Sequence, residues 1–141
     1  MKSIKTTLAA LFLTAAIMSW VSCKKESTAP ISKSTQDKIA GKWKLQSSIA
    51  NDFYAGTSHI TTYTGTAADY VDFRNDGKVY SFVSASYDTS AYGIISNTKM
   101  WIDNSSDTFD IQILTDTNLK LYRKEIYNPT DYYETTISFT R

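Results

Sequence analysis

The side chain best placed to do chemistry in this 141-residue sequence is a thiol. Cys23 is the only cysteine, so it has no disulfide partner within the chain and is free for another covalent fate. The single histidine, His59, has no motif around it. There is no His-Glu-x-x-His, no Cys-x-x-Cys, no Gly-x-Ser-x-Gly and no Gly-rich phosphate loop. It reads as a surface histidine in a loop. Asp103, Asp107 and Asp110 could suggest a calcium loop, but Asn104-Ser105-Ser106 between them reads as a strand connection. The glycine and closing glutamate of an EF-hand are also missing. Glu125 and Glu134 fall on adjacent expected strands, where two carboxylates could share acid and base roles. With Lys120, Arg123 and Lys124 nearby, a solvated charge ladder is the better reading. The expectation is a protein that is not an enzyme, with no catalytic residue, no metal and no cofactor.

What precedes Cys23 says what its thiol is for. Lys2 and Lys5 give a positive start, and Leu8 to Met18 is an apolar run of eleven residues. That length suits the core of a secretory signal and falls short of the roughly 20 residues that span a bilayer. Trp20-Val21-Ser22-Cys23 then leads into a polar stretch. This resembles the lipobox of bacterial lipoproteins, which implies a signal peptide over 1–22, cleavage before Cys23, and a diacylglycerol thioether with further acylation such as palmitate. Each buried methylene would add about 0.8 kcal/mol, so several chains make the attachment effectively permanent. The implied partner is a membrane, and the implied location is the cell envelope, anchored to the outer membrane.

Cleavage before Cys23 leaves 119 residues with 13 basic and 14 acidic side chains, a charge of −1. No basic face is implied, and nucleic acid is not an expected partner. Residues 23–38, rich in Lys, Ser and Thr, read as a lipidated cysteine followed by a flexible tether of about 20 Å average reach. Within it, Ser34-Thr35-Gln36-Asp37 could cap one helical turn. Residues 39–141 are left for one small domain.

That domain shows no helical periodicity and frequent alternation. Trp43, Leu45 and Ser47 share a face. Phe109, Ile111 and Ile113 alternate with Asp110 and Gln112, and Tyr133, Thr135, Ile137 and Phe139 alternate with Glu134, Thr136 and Ser138. Expected strands follow one another through turns such as Asn75-Asp76-Gly77 and Asp116-Thr117-Asn118. Eight short strands in unbroken order predict an all-β fold, an antiparallel up-and-down eight-stranded barrel, whose closure removes exposed edges. A three-residue turn at Asn75-Asp76-Gly77 would put Phe73 on the face of Val79 and Val83, with Tyr80 and Phe82 outward. A two-residue turn would reverse this, and the first is preferred.

Ile39-Ala40-Gly41-Lys42-Trp43-Lys44-Leu45 resembles the Gly-x-Trp opening of lipocalins and the wider calycin group. Phe73-Arg74-Asn75-Asp76-Gly77 is similar to the Phe-x-x-Asp-Gly hairpin of short lipocalin-like lipoproteins of Gram-negative bacteria. The resemblance implies a lipocalin-like barrel in which Trp43, after Gly41, closes one end and Arg141 packs across its indole. Such a cation–π contact contributes about 0.5–2 kcal/mol. Thr130-Asp131-Tyr132 matches a lipocalin motif but stands one strand too late, and is read as coincidence.

The remaining signal is aromatic: 17 of the 119 residues after the cleavage point are Tyr, Phe or Trp. Strand propensity accounts for most of this, and rings lining a pocket would account for the rest. The stretch Ala50 to Ala68 is the long first connection and carries Phe53, Tyr54, His59 and Tyr63. It is either a lid over the barrel mouth or plain structure with a short strand near Ser58 to Thr64. The expected activity is binding of a small, partly apolar ligand by Phe53, Tyr54, Tyr63, Phe73, Val79, Met100, Ile111 and Phe139. Leu45, Val71, Ile102, Ile113, Leu121 and Ile137 complete the expected interior. The alternative is an envelope interaction or inhibitor module with a filled barrel, docking a protein or glycan through outward Tyr80, Phe82, Tyr92 and Tyr132.

Overall fold

A computed structural model describes residues 33–141; Cys23 and the signal-like segment lie outside them. The chain enters through helix α1 (Thr35–Ile39) and continues as β1 (Gly41–Tyr54), β2 (Thr57–Thr64), β3 (Tyr70–Phe73), β4 (Lys78–Val83) and β5 (Ser86–Ser96). It ends with β6 (Lys99–Ile102), β7 (Thr108–Leu114), β8 (Asn118–Ile126) and β9 (Tyr132–Thr140). Ser34 starts α1 with a capping box. Its hydroxyl accepts from Asp37 N–H at 3.1 Å, and the Asp37 carboxylate accepts from Ser34 N–H at 3.2 Å. Ile39 is fully buried, and Gln36 Nε2 donates to Tyr92 Oη at 2.7 Å. Residues 34–38, read from the sequence as part of the tether with a possible capped turn, thus form a helical turn packed on the barrel.

Neighbouring strands pair antiparallel in the order β3-β4-β5-β6-β7-β8-β9-β1, and β1 returns to β3, closing eight strands into a barrel. The ninth, β2, is the extra strand in the Ala50–Ala68 segment. β1 runs on to Tyr54 and turns back through Ala55 and Gly56, whose φ values of 50° and 76° make a two-residue hairpin turn. This stretch is thus a hairpin extending the barrel wall and not a loop lid. Along one edge of β1, β2 covers residues 47–54 and β3 covers residues 41–44, with the 65–69 bend between them. Gly65 fits there because a Cβ would lie 2.0 Å from the Leu45 carbonyl oxygen.

The hairpin after β3 takes the three-residue form: Phe73 pairs with Val79, and Arg74 N–H donates to Lys78 O at 2.9 Å. Two bulges change what the alternation suggested. The register shift between Leu45 and Ser47 makes Gln46 the extra residue, so Ser48 pairs with Ile137 and the parity of upper β1 flips. A second shift between Ile111 and Ile113 turns Ile113 outward, 44% exposed, and brings Leu114 against the core instead. Tyr92 also departs from its expected outward place. It is buried, edge-on to Phe73 at 5.0 Å, with its hydroxyl donating to Arg74 O at 2.9 Å.

The lower barrel is solid. Trp43, Phe73, Met100, Leu119 and Leu121 are almost wholly buried, packed with Phe109, Ile111 and Phe139. Trp43 Nε1 donates to Ile39 O at 2.7 Å, so the indole seals the base while satisfying its one donor. Arg141 lies with Cζ 3.8 Å from the Trp43 ring centre, and its Nη2 donates to the carbonyls of Lys38, Ile39 and Ala40 at 3.0, 3.2 and 2.6 Å. These are orphan groups at the end of α1. Gly41 beneath has φ +108°, a backbone state that L side chains rarely adopt. Core and closure thus all lie within residues 33–141, inside one compact unit, which carries what it needs to fold alone.

Arg141→Ala is expected to lower the unfolding free energy by about 2 kcal/mol through lost cation–π and charge-assisted bonds. Arg141→Lys should recover less than half, because an ammonium cannot lie flat on the indole and reach three carbonyls. Urea unfolding of residues 33–141 measures both.

Candidate functional site

Above the packed base the barrel opens into a cleft of about 360 Å³ lined by Leu45 and Ser48 of β1, Tyr63 of β2, Val71 of β3, Ser81 and Val83 of β4, and Ile137 and Phe139 of β9. These positions follow from register. Val71 pairs with Ser81, and Leu45 with Phe139, while the Gln46 bulge brings Ser48 beside Ile137. A recess of about 150 Å³ shares Val71, Ser81, Ile137 and Phe139 and continues inward to Phe73, Val79 and Leu121, with Asp88 and Ser90 on its β5 side. The walls are aliphatic and aromatic. The polar groups are the Ser48 and Ser81 hydroxyls and the Tyr63 phenol in the cleft, with Asp88 and Ser90 on the β5 side of the recess, an arrangement that fits an apolar body with a few hydrogen-bonding positions.

The mouth is held by Asp69, which is 2% exposed. Its Oδ2 accepts from Thr66 N–H at 2.7 Å and from Tyr63 Oη at 2.7 Å, while Oδ1 accepts from Ser84 N–H at 2.9 Å. One carboxylate thereby ties the end of β2, the 65–69 bend and the β4–β5 turn, across a seam that no strand pairing closes. The Thr66 N–H, then the Tyr63 hydroxyl, hold the Asp69 carboxyl down to a pKa of about 2. The same bond from Tyr63 raises that phenol. Across the mouth, buried Asp131 accepts from Asn128 Nδ2 at 2.8 Å and from Ala55 N–H at 3.2 Å, pinning the β1–β2 hairpin tip to the β8–β9 turn. The Asn128 amide, first of all, keeps this carboxyl below its ordinary range.

Of the ligand-binding residues expected from the sequence, the structure brings Tyr63, Phe73, Val79 and Phe139 to the cleft and its recess. Met100 and Ile111 are buried in the core below. Phe53 faces outward, stacked on Tyr132 at 5.1 Å, and Tyr54 stands 63% exposed at the hairpin end. Ser48, Ser81, Val83 and Asp69 were not among the expected binding residues. Val83 was findable from the preferred hairpin register, whereas Ser48 depends on a bulge and Asp69 on contacts distant in sequence.

The acidic candidates do not converge. Asp110 pairs with Lys99 at 3.0 Å and Asp107 with Arg123 at 2.9 Å. Glu125 sits beside Arg123 at 2.7 Å. Glu134 accepts from Tyr122 Oη at 3.0 Å and pairs with Lys124, its register partner, whereas Glu125 is one register step away and so on the opposite face of the sheet. His59 is exposed on β2, across from Asp52. Among the described residues no group of three His, Cys, Asp or Glu side chains is placed to hold a metal.

Asp69 has a folded pKa depressed from 3.8 to about 2, so its ionised form favours the fold above about pH 4, and that contribution is lost as pH falls toward 2. Asp69→Asn should lower the melting temperature at pH 7 and narrow its gap to the parent protein between pH 4 and 2. Equal gaps at both pH values, read by circular dichroism melts, would show that the charge does not act there.

No protein-family model and no curated protein matches the chain, and what places it is its architecture, an eight-stranded antiparallel barrel of lipocalin-like form.

Proposed function

We propose that this is a lipid-anchored protein of the bacterial cell envelope, akin to the lipocalin-like lipoproteins of Gram-negative bacteria. Its barrel binds a small, partly apolar molecule non-covalently. The observation that carries the binding half is the cleft of about 360 Å³ above a solid base, apolar on its walls and hydroxylated at Ser48, Ser81 and Tyr63. A filled barrel would need no such opening, and a cleft of this size suits a ligand at the small end of the usual range. The anchoring half rests on Cys23 alone: a lone thiol behind a positive start and an apolar run of eleven residues. Acylated there, the protein sits at the outer membrane and presents its ligand site from a tether.

A second reading has its own support. On the outside, Tyr70, Phe82 and Tyr87 form a cross-strand row, with ring centres 6.2 and 4.5 Å apart and Lys42 Nζ 3.4 Å from the centre of the Tyr70 ring. Tyr87 is 77% exposed. Such a row suits a protein or glycan partner, since flat aromatic faces dominate many contact surfaces.

Residues 33–141, incubated with an envelope lipid extract and repurified, should carry a reproducible added mass of a few hundred daltons in native mass spectrometry. Val71→Trp, which fills the cleft, should cut that occupancy about tenfold or more without lowering the melting temperature by more than a few degrees. A bare parent protein would sink the cleft reading and leave the aromatic row as the site. Separately, the full chain should incorporate labelled palmitate in cells and Cys23→Ala should abolish it. Label retained in the variant would refute the anchor.

A further inference from the structure

The barrel sorts its charges along its axis. Its base half comprises α1, the turns at 74–77, 97–98 and 115–117, the strand ends meeting them, and Arg141. Its mouth half carries the turns at 55–56, 84–85, 103–107 and 127–131. Among the described residues, Arg123 and Lys124 are the only cations of the mouth half, set against eight carboxylates, a net of −6. The other nine Lys and Arg side chains lie in the base half with five acids: Asp37, Asp72, Asp76, Asp110 and Asp116. That is a net of +4. The unit as a whole, with eleven cations and thirteen anions, is −2.

We propose that the closed base is a docking face for an anionic membrane surface, which holds the mouth pointing away from the bilayer. Complementary charge is the first reason, since lysines near an anionic leaflet are attracted and an acidic mouth is repelled. The second is where the chain arrives: the described residues begin at Lys33, and α1 packs against β5 and β7 at the base end. The third is that the base offers apolar groups among its cations. Ile95, at the bulge in β5, is 52% exposed, and Ile113, turned outward by its own bulge, stands directly across from Lys120. Lys33 and Lys38 border a hollow with Asn97 and Leu114 on the same end. An isoleucine facing a lysine stem, as Ile113 faces Lys120, matches the polar-to-apolar gradient of a membrane interface. Trp43, Arg141 and α1 seal this end, so a base on the membrane obstructs no opening. The face does not depend on what occupies the cleft or on an acyl chain.

Residues 33–141, without lipid, are mixed at low salt with phosphatidylcholine vesicles, with or without phosphatidylglycerol, and sedimented. A unit of net −2 with evenly spread charge would be excluded from the anionic vesicles. The expected result is co-sedimentation with these alone, reversed by salt. The triple variant Lys33→Glu, Lys38→Glu, Lys120→Glu, with its melt checked by circular dichroism, should bind about tenfold more weakly or worse. Residues 33–141 contain no cysteine, so Asn97→Cys and Thr57→Cys each take one fluorophore, at the base and at the hairpin tip. Lipid-borne nitroxide should quench the first and spare the second. Absence of binding, equal binding to neutral vesicles, an undiminished triple variant or a quenched Thr57 label would each overturn the proposal.

Discussion

Arg141 is the last residue of the chain, and its guanidinium sits where three requirements meet. The first strand must find the last, the barrel floor must be sealed, and the carbonyls ending α1 need donors. A planar cation does all three, lying 3.8 Å over the Trp43 ring while its Nη2 reaches the carbonyls of Lys38, Ile39 and Ala40. The Trp43 indole completes the arrangement by donating to Ile39 O. Pairing of β1 with β9 over residues 44–53 follows from this anchor, and with it the walls that frame the cleft.

From that floor the barrel changes character with height. Its lower part is filled by Trp43, Met100, Leu119 and Tyr92, and the recess of the cleft reaches down as far as Phe73 and Leu121. Its upper part is lined by smaller and more polar groups, and its strands diverge. β2 carries no pairing on its outer edge, and the seam toward the β4–β5 turn is bridged by the Asp69 carboxylate. A small protein has little buried apolar surface to divide between a filled core and a cavity. The arrangement here resolves that conflict by stacking them, with stability below and a cleft of about 360 Å³ above. The same axis separates charge, so the two ends suit different surroundings.

Bulges do much of the positioning. Without the extra residue at Gln46, upper β1 would keep the parity of Trp43 and Leu45, and Ile49 and Phe53 would point inward. With it, Ser48 enters the cleft, and Phe53 stacks outside on Tyr132. The shift in β7 similarly exchanges Ile113 for Leu114 at the core. A single inserted residue inverts every side chain after it, which is why alternation read along a strand holds only as far as the next bulge.

What the sequence by itself determined is what local pattern controls. Alternation of apolar and polar residues marked the strands, the Asn-Asp-Gly turn set the Phe73 register, Ser34 and Asp37 marked the helix start, and the Gly-x-Trp opening pointed to a barrel closed by Arg141. Each depends on residues within a few positions of one another or on a resemblance carried by such a stretch. Only the tertiary structure decided which faces survive the bulges, that the Ala50–Ala68 segment is a hairpin, that Tyr92 belongs to the core, and that Asp69 ties together Tyr63, Thr66 and Ser84. Those outcomes depend on strand pairing and on contacts between residues far apart in the chain. A carboxylate that fastens three separate segments has the same local sequence as one that fastens none.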